Sequence, residues 1–257
     1  VSIAIVQVPK ISNFTDFDAL NYEPDVSVRF VGPGDLLGTP DLIILPGSKN
    51  TLSELKYLQE TGFADEIKSL AVKGTPIIGV CGGNQMLGTT IYDPHHMEGD
   101  IEESTGLGLV QSTTTMKDKK TTHRFTFDVE NLHFLNGVYS GKNLVGYEIH
   151  MGDTTPNDAS VQRCFNITSR SEQSVDVVDG FIDGTHRIMG TYVHGVFDND
   201  EFRRFIIHQL RLAKGLDEKP VLFRYFKHKN DAYNRLADIV EEHLDMDYIM
   251  SILKDMR

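Results

Sequence analysis

Cysteine is scarce in this chain of 257 residues: there are two, Cys81 and Cys164. They lie far apart in unlike contexts, which argues against a disulfide scaffold and fits a reducing, cytoplasmic setting. Basic residues are also few. Lys and Arg number 25 against 37 Asp and Glu, for a formal net charge of −12. Proteins that grip a phosphate backbone concentrate cations to displace counterions, so nucleic acid is not an expected partner. Lys117, Lys119 and Lys120 read as a solvated loop. No apolar run approaches the ~18 residues that span a bilayer, and no secretory leader opens the sequence, so no membrane association is expected. Val1 already falls inside a strand pattern, which suggests a piece of a longer polypeptide.

What is present is an alternation of strands and helices. Val1–Val8 and Ser27–Val31 are β-branched, and Asp41–Leu45 and Pro76–Val80 are short apolar runs of the kind buried on both faces of a parallel sheet. Ile11–Asp18 breaks the first pattern and reads as a loop. Thr51–Gln59 and Phe63–Lys73 have helical spacing, and Gly74 stands where a helix ends. These elements predict an α/β fold with a parallel core. Further on, Phe125–Val129, Val145–Ile149, Val161–Thr168, Val175–Ile182 and Arg187–Val193 read as strands with few helices between them, an antiparallel or mixed addition to the sheet. Asp200–Lys214 reads as a helix. Asp231–His243 and Asp245–Lys254 are amphipathic and charged, so the chain divides into a domain over 1–214 and a helical extension over 215–257.

The most informative stretch is Ile77-Ile-Gly-Val-Cys81-Gly-Gly-Asn-Gln-Met-Leu-Gly88. A buried strand ends, a cysteine follows, and two glycines lead into a short helix. This is the shape of a nucleophile elbow, in which glycines permit close packing and strained angles. A helix N-terminus offers free N–H groups and partial positive charge, which favour a thiolate. The N–H of Gly82 is placed to donate to an oxyanion. Cys164 lacks flanking glycines and reads as a small buried hydrophobe.

A thiol nucleophile needs a base, and histidine is the usual one near neutral pH. His194 ends a strand and precedes Gly195, so it should emerge at the sheet rim, where Cys81 also stands. In open α/β sheets, sites gather at the carboxyl ends of the strands. His150 is a second candidate; Glu148 and His150 alternate onto one face of a strand. Asp93, His95, His96 and Glu98 match no common metal spacing, so no metal is expected. Leu45–Thr51 lacks the Gly-Lys-Ser/Thr ending of a phosphate loop. At this sheet edge, Gly47 or Ser48 is instead placed to supply a second oxyanion donor.

Together, Ile5–Asp18, Leu45–Thr51, Cys81-Gly-Gly, Gly146–Gly152, Gly190–Asp198 and the tail Tyr233–Asp247 resemble the class I glutaminase domain of the cobyric acid synthase family. The resemblance implies a flavodoxin-like three-layer sandwich with a mixed, mostly parallel sheet. It implies a glutamine amidotransferase with Cys81 as nucleophile and His194 as base. Gly47, Ser48, Gly82 and Gln85 then form the expected oxyanion and glutamine-binding set, and Glu148 and His150 are orienting or secondary. No cofactor is expected in this domain. Ammonia would pass to an ATP-dependent synthetase domain of the same polypeptide, which uses ATP and magnesium to amidate carboxylates of adenosylcobyrinic acid a,c-diamide, a corrinoid, in cobalamin biosynthesis.

Two departures stand out. Asn84 replaces a tyrosine usual in the family, and Val196 stands where many class I glutaminases carry a glutamate that orients the histidine. An arginine of a Lys-Thr-x-Arg stretch in the lipid II glutaminase has only a shifted counterpart here, Lys120–Arg124. The alternatives are the glutaminase of cobyrinic acid a,c-diamide synthase or of lipid II amidation, a silent regulatory binding domain, and another cysteine hydrolase.

Overall fold

A computed structural model describes residues 1–220 and 223–255. The short apolar runs form the centre of an 11-stranded sheet. β1 (Ser2–Val6), β3 (Ser27–Val31), β4 (Leu42–Leu45), β6 (Ile77–Val80) and β13 (Ile188–Thr191) lie in the order β3-β1-β4-β6-β13, every pair parallel. A separate two-stranded ladder joins β2 (Ile11–Ser12) to β5 (Gly47–Ser48).

Helices cover both faces of the parallel core. Side chains alternate along β1: Ile3 and Ile5 pack with Phe17, Leu20, Phe202 and Ile206, whereas Ala4 and Val6 pack with Leu52, Leu55 and Ile67. The first layer comes from α1 (Asp18–Asn21) and α5 (Asp200–Ala213), the second from α2 (Thr51–Glu60) and α3 (Phe63–Val72). The short α4 (Gly82–Leu87) follows β6 directly. This is the three-layer α/β sandwich anticipated from the sequence.

Beyond β13 the sheet is mostly antiparallel. It continues through β12 (Gln173–Ile182), β11 (Gln162–Arg170) and β9 (Ser112–Phe134), then β7 (Thr90–Tyr92) and β8 (Glu103–Thr105), with β10 (Gly137–Pro156) paired to β9. The stretches 125–129 and 145–149 are thus parts of one long hairpin. Two expectations are corrected. Lys117, Lys119 and Lys120 lie within β9, not in a loop; they are exposed and fall between the paired residues Met116 and Thr121, where the register with β10 shifts, which gives them the polar composition of a loop. Ile11–Asp18 is also ordered, as β2, a 3-10 turn over Phe14–Phe17 and the start of α1.

The C-terminal region carries α6 (Tyr225–His243), which begins six residues before the expected Asp231, and α7 (Met246–Asp255). Residues 221, 222, 256 and 257 of the expected extension lie outside the described set. No helix among the described residues is long and apolar enough to cross a membrane.

Candidate active site

Cys81 sits between β6 and α4 with φ 52° and ψ −110°. A residue with a Cβ avoids this backbone region unless its surroundings impose it. The glycines around it are imposed by contact. A Cβ on Gly83 would stand 2.0 Å from the Leu45 carbonyl oxygen, and one on Gly79 would stand 2.6 Å from that of Gly83. The elbow is pressed against β4 and tolerates no side chain at either position.

The loop after β4 forms the other wall. A Cβ on Gly82 would lie 2.9 Å from the Ser48 backbone nitrogen, and one on Gly47 would lie 3.3 Å from His194 Cε1. The backbones of Gly47, Ser48 and Gly82 therefore converge beside the cysteine. The first backbone bond within α4 runs from Gln85 N–H to the Cys81 carbonyl, so the N–H groups of Gly82 and Gly83 have no acceptor in their own helix.

His194 is fully buried, three residues beyond β13. Its Nδ1 lies 2.6 Å from Asp16 Oδ2, and Cys81 is near enough to act on its charge. Nδ1–H therefore donates to Asp16, and the Asn13 amide nitrogen stands 3.1 Å from Nε2. Asp16 also accepts from the Gly195 N–H, at 3.1 Å, and the Asn13 amide nitrogen stands 3.0 Å from the ring. Tyr147 stacks on the imidazole with centroids 5.0 Å apart. Burial works against a charged imidazole here, but the hydrogen bonds and charges of Asp16 and Cys81 outweigh it and push the His194 pKa up to about 10. The Cys81 sulfur also approaches the Ile149 carbonyl at 3.8 Å.

The carboxylate beside His194 is therefore Asp16. Glu148, the residue first expected to orient the ring, is engaged elsewhere: Arg170 pairs with it at 2.8 Å, and His150 stands 3.3 Å away. His150 stacks on Tyr192 with centroids 3.9 Å apart and bonds the Gly152 carbonyl. Gln85 is likewise committed inside the protein. Its Oε1 accepts from Thr51 at 2.7 Å, and its amide reaches the Tyr192 hydroxyl at 3.3 Å. Asn84 is buried against Gly190, where an added Cβ would be 2.1 Å from its Oδ1. It faces a cavity of about 290 Å³ shared with His150 and Asp179, not the side of Cys81 that carries His194. Asp93 accepts from the N–H groups of Met97 and Glu98 and so closes its own turn.

Sequence reasoning gave Asp16 and Asn13 no role. The available signal was a polar residue set between Phe14 and Phe17 in a stretch the family resemblance already covered.

A cysteine on a strained elbow, a buried histidine backed by a carboxylate, and a doubly covered α/β sheet define a cysteine-type glutamine amidotransferase domain. The fold is shared with PurLQS from Thermotoga maritima, at TM-score 0.55 and 20% identity over 78% of this chain and 91% of that one. A putative GMP synthase subunit from Thermoplasma acidophilum gives the same TM-score of 0.55 at 18% identity, over 83% of this chain and 96% of the other. The profile of the CobB/CobQ-like glutamine amidotransferase domain matches residues 2–202, and the chain belongs to that family. It is 41% identical over 256 residues to cobyric acid synthase of Streptococcus sanguinis and 43% identical over 253 residues to that of Moorella thermoacetica. Each match covers 98% of this chain but 49% and 48% of the relatives, so the chain spans about half their length.

Proposed function

We propose that this chain is the glutaminase part of a cobyric acid synthase, with Cys81 as its nucleophile. The observation that carries the reading is the grouping of Asp16, His194 and Cys81, in which a carboxylate fixes the histidine tautomer and the cysteine acts on the charge of the ring. Once the Cys81 proton has passed to His194, the thiolate adds to the side-chain amide carbon of glutamine. The N–H groups of Gly82 and of the Gly47–Ser48 turn stabilise the resulting oxyanion. His194, charged at neutral pH, protonates the departing nitrogen, and the C–N bond breaks to leave ammonia and a glutamyl thioester. Water, deprotonated by the now neutral imidazole, hydrolyses the thioester to glutamate. Ammonia passes to an ATP- and magnesium-dependent synthetase domain that amidates carboxylates of adenosylcobyrinic acid a,c-diamide. The strain at Cys81 speaks against a silent binding domain, because a cysteine that only packs gains nothing from it.

The test is glutamate release from glutamine by the wild-type chain and by Cys81→Ala, with a diazoketone analogue of glutamine to mark the nucleophile. Label on Cys81, with loss of turnover in the variant, is the expected result. Label on Cys164 alone would overturn the reading. The corrinoid assignment is tested separately, by assaying the full-length protein on cobyrinic acid and on its a,c-diamide.

A further inference from the structure

The segment that carries His194 leaves the sheet where β13 ends, at Thr191. A single antiparallel bridge then ties it to β10, between Tyr147 and His194. Tyr147 N–H donates to the His194 carbonyl at 3.2 Å, and His194 N–H donates to the Tyr147 carbonyl at 2.8 Å. Asn199 extends the seam. Its Oδ1 accepts from Val145 N–H and its amide donates to the Val145 carbonyl, both at 2.9 Å. Gly146 lets the two segments meet, because a Cβ there would stand 2.7 Å from Val193 Cγ1. Val145–Tyr147 is thus a clamp on the chain around the histidine.

The clamp lays the Tyr147 ring over the imidazole, with centroids 5.0 Å apart and the planes 19° from parallel. His194 therefore turns an edge to Asp16 and a face to Tyr147. An aromatic face carries negative charge density and attracts a cation held within about 6 Å of it. The Tyr147 hydroxyl also reaches Asp16 Oδ1, at 3.4 Å. That oxygen accepts from Gly195 N–H, while Oδ2 takes the ring nitrogen. Burial first, and then the Asp16 charge, push the Tyr147 phenol well above its usual range. The hydroxyl keeps its proton and can only donate to the carboxylate. One partly buried side chain thus touches both members of the Asp16–His194 pair. A leucine would fill the space without offering a negative face or a donor.

We propose that Tyr147 is a positioning residue for His194, its ring face holding the plane and supporting the charge of the imidazole, and its hydroxyl steadying Asp16. Its effect on turnover rests on the glutaminase reading above; its hold on the imidazole does not.

The experiment compares wild type with three forms. Tyr147→Phe keeps the ring and removes the hydroxyl, and Tyr147→Leu removes both. In the third, pentafluorophenylalanine at position 147 keeps the shape of phenylalanine and reverses the charge of its face. Tyr147→Leu should lower the kcat of glutamine hydrolysis about tenfold or more with KM little changed, since the base is no longer held in line. Tyr147→Phe should retain most of the activity. Histidine NMR titration should find the His194 midpoint lower by about half a pH unit or more in the leucine and fluorinated forms than in Tyr147→Phe, the loss expected from one cation–aromatic contact. A packing role alone would lower the melting temperature of the leucine form and leave the midpoint in place, which would overturn the proposal. Equal kcat and equal midpoints in the phenylalanine and fluorinated forms would overturn it too, and that pair decides the matter if the leucine form does not fold. Wild-type chain that releases no glutamate would instead overturn the glutaminase reading, and the midpoints, which need no substrate, would still test the ring contact.

Discussion

Asp16 Oδ2 stands 2.6 Å from His194 Nδ1, although the two residues are 178 apart in the chain. The β2–β5 ladder makes this possible by tying Ser12 to Gly47 and so bringing the following turn to the rim where β6 and β13 end. One carboxylate then binds both the ring and the next N–H, of Gly195.

Asp16→Asn should lower the kcat of glutamine hydrolysis by about 10²-fold or more, since an amide no longer enforces the tautomer or balances the imidazolium. Glu148→Gln should have a much smaller effect on kcat, because Glu148 is held by Arg170 and His150. It should cost about 1–3 kcal/mol of stability through the damaged ion pair. Equal kinetic losses in the two variants would return Glu148 to the role of orienting residue.

The His194 imidazole should remain charged across neutral pH. Its pKa is about 10 in the folded chain against 6.5 for the free side chain, so the folded state binds this proton more tightly. The stabilisation is complete below about pH 6.5 and is lost as pH rises through about 10. Histidine NMR titration should find no midpoint for His194 between pH 6 and 8.5, and Asp16→Asn should bring the midpoint down. A midpoint near 6.5 in the wild type would refute the charged pair.

Relief of backbone strain should be measurable at the nucleophile itself. With φ at 52° and ψ at −110°, Cys81→Ala keeps the strain and Cys81→Gly removes it. The glycine variant should be more stable than the alanine variant by about 1 kcal/mol in urea unfolding, after glycine's own entropic cost. Both should be inactive.

Gly83→Ala should cost more than about 3 kcal/mol or prevent folding, because the added Cβ meets the backbone of Leu45 and no side chain can yield. Gly99, with open space around it, has φ 126°. An alanine there should cost about 1–2 kcal/mol through backbone strain alone, and comparing the two by thermal unfolding separates collision from conformation.

Much of this protein is legible locally. The apolar runs of β4 and β6, the helical spacing of α2 and α3, and the glycines after Cys81 each carry their meaning within about ten residues of sequence, because periodicity and backbone sterics are short-range effects. They specified the α/β class, and they set Cys81, Gly82 and the Gly47–Ser48 turn on the ends of strands. Other features have no local signature. A polar, lysine-bearing stretch lies within β9 because the ladder with β10 resumes on either side of it, from Met116 back and from Thr121 on, while residues 117–120 fall at a break in the register and face solvent. Val196 showed that the histidine lacked the usual glutamate, but nothing near it named Asp16 as the substitute. That choice belongs to the tertiary structure alone: a hydrogen bond depends on where two chain segments meet, and only packing of the turn around Phe17 into the core brings Asp16 to His194.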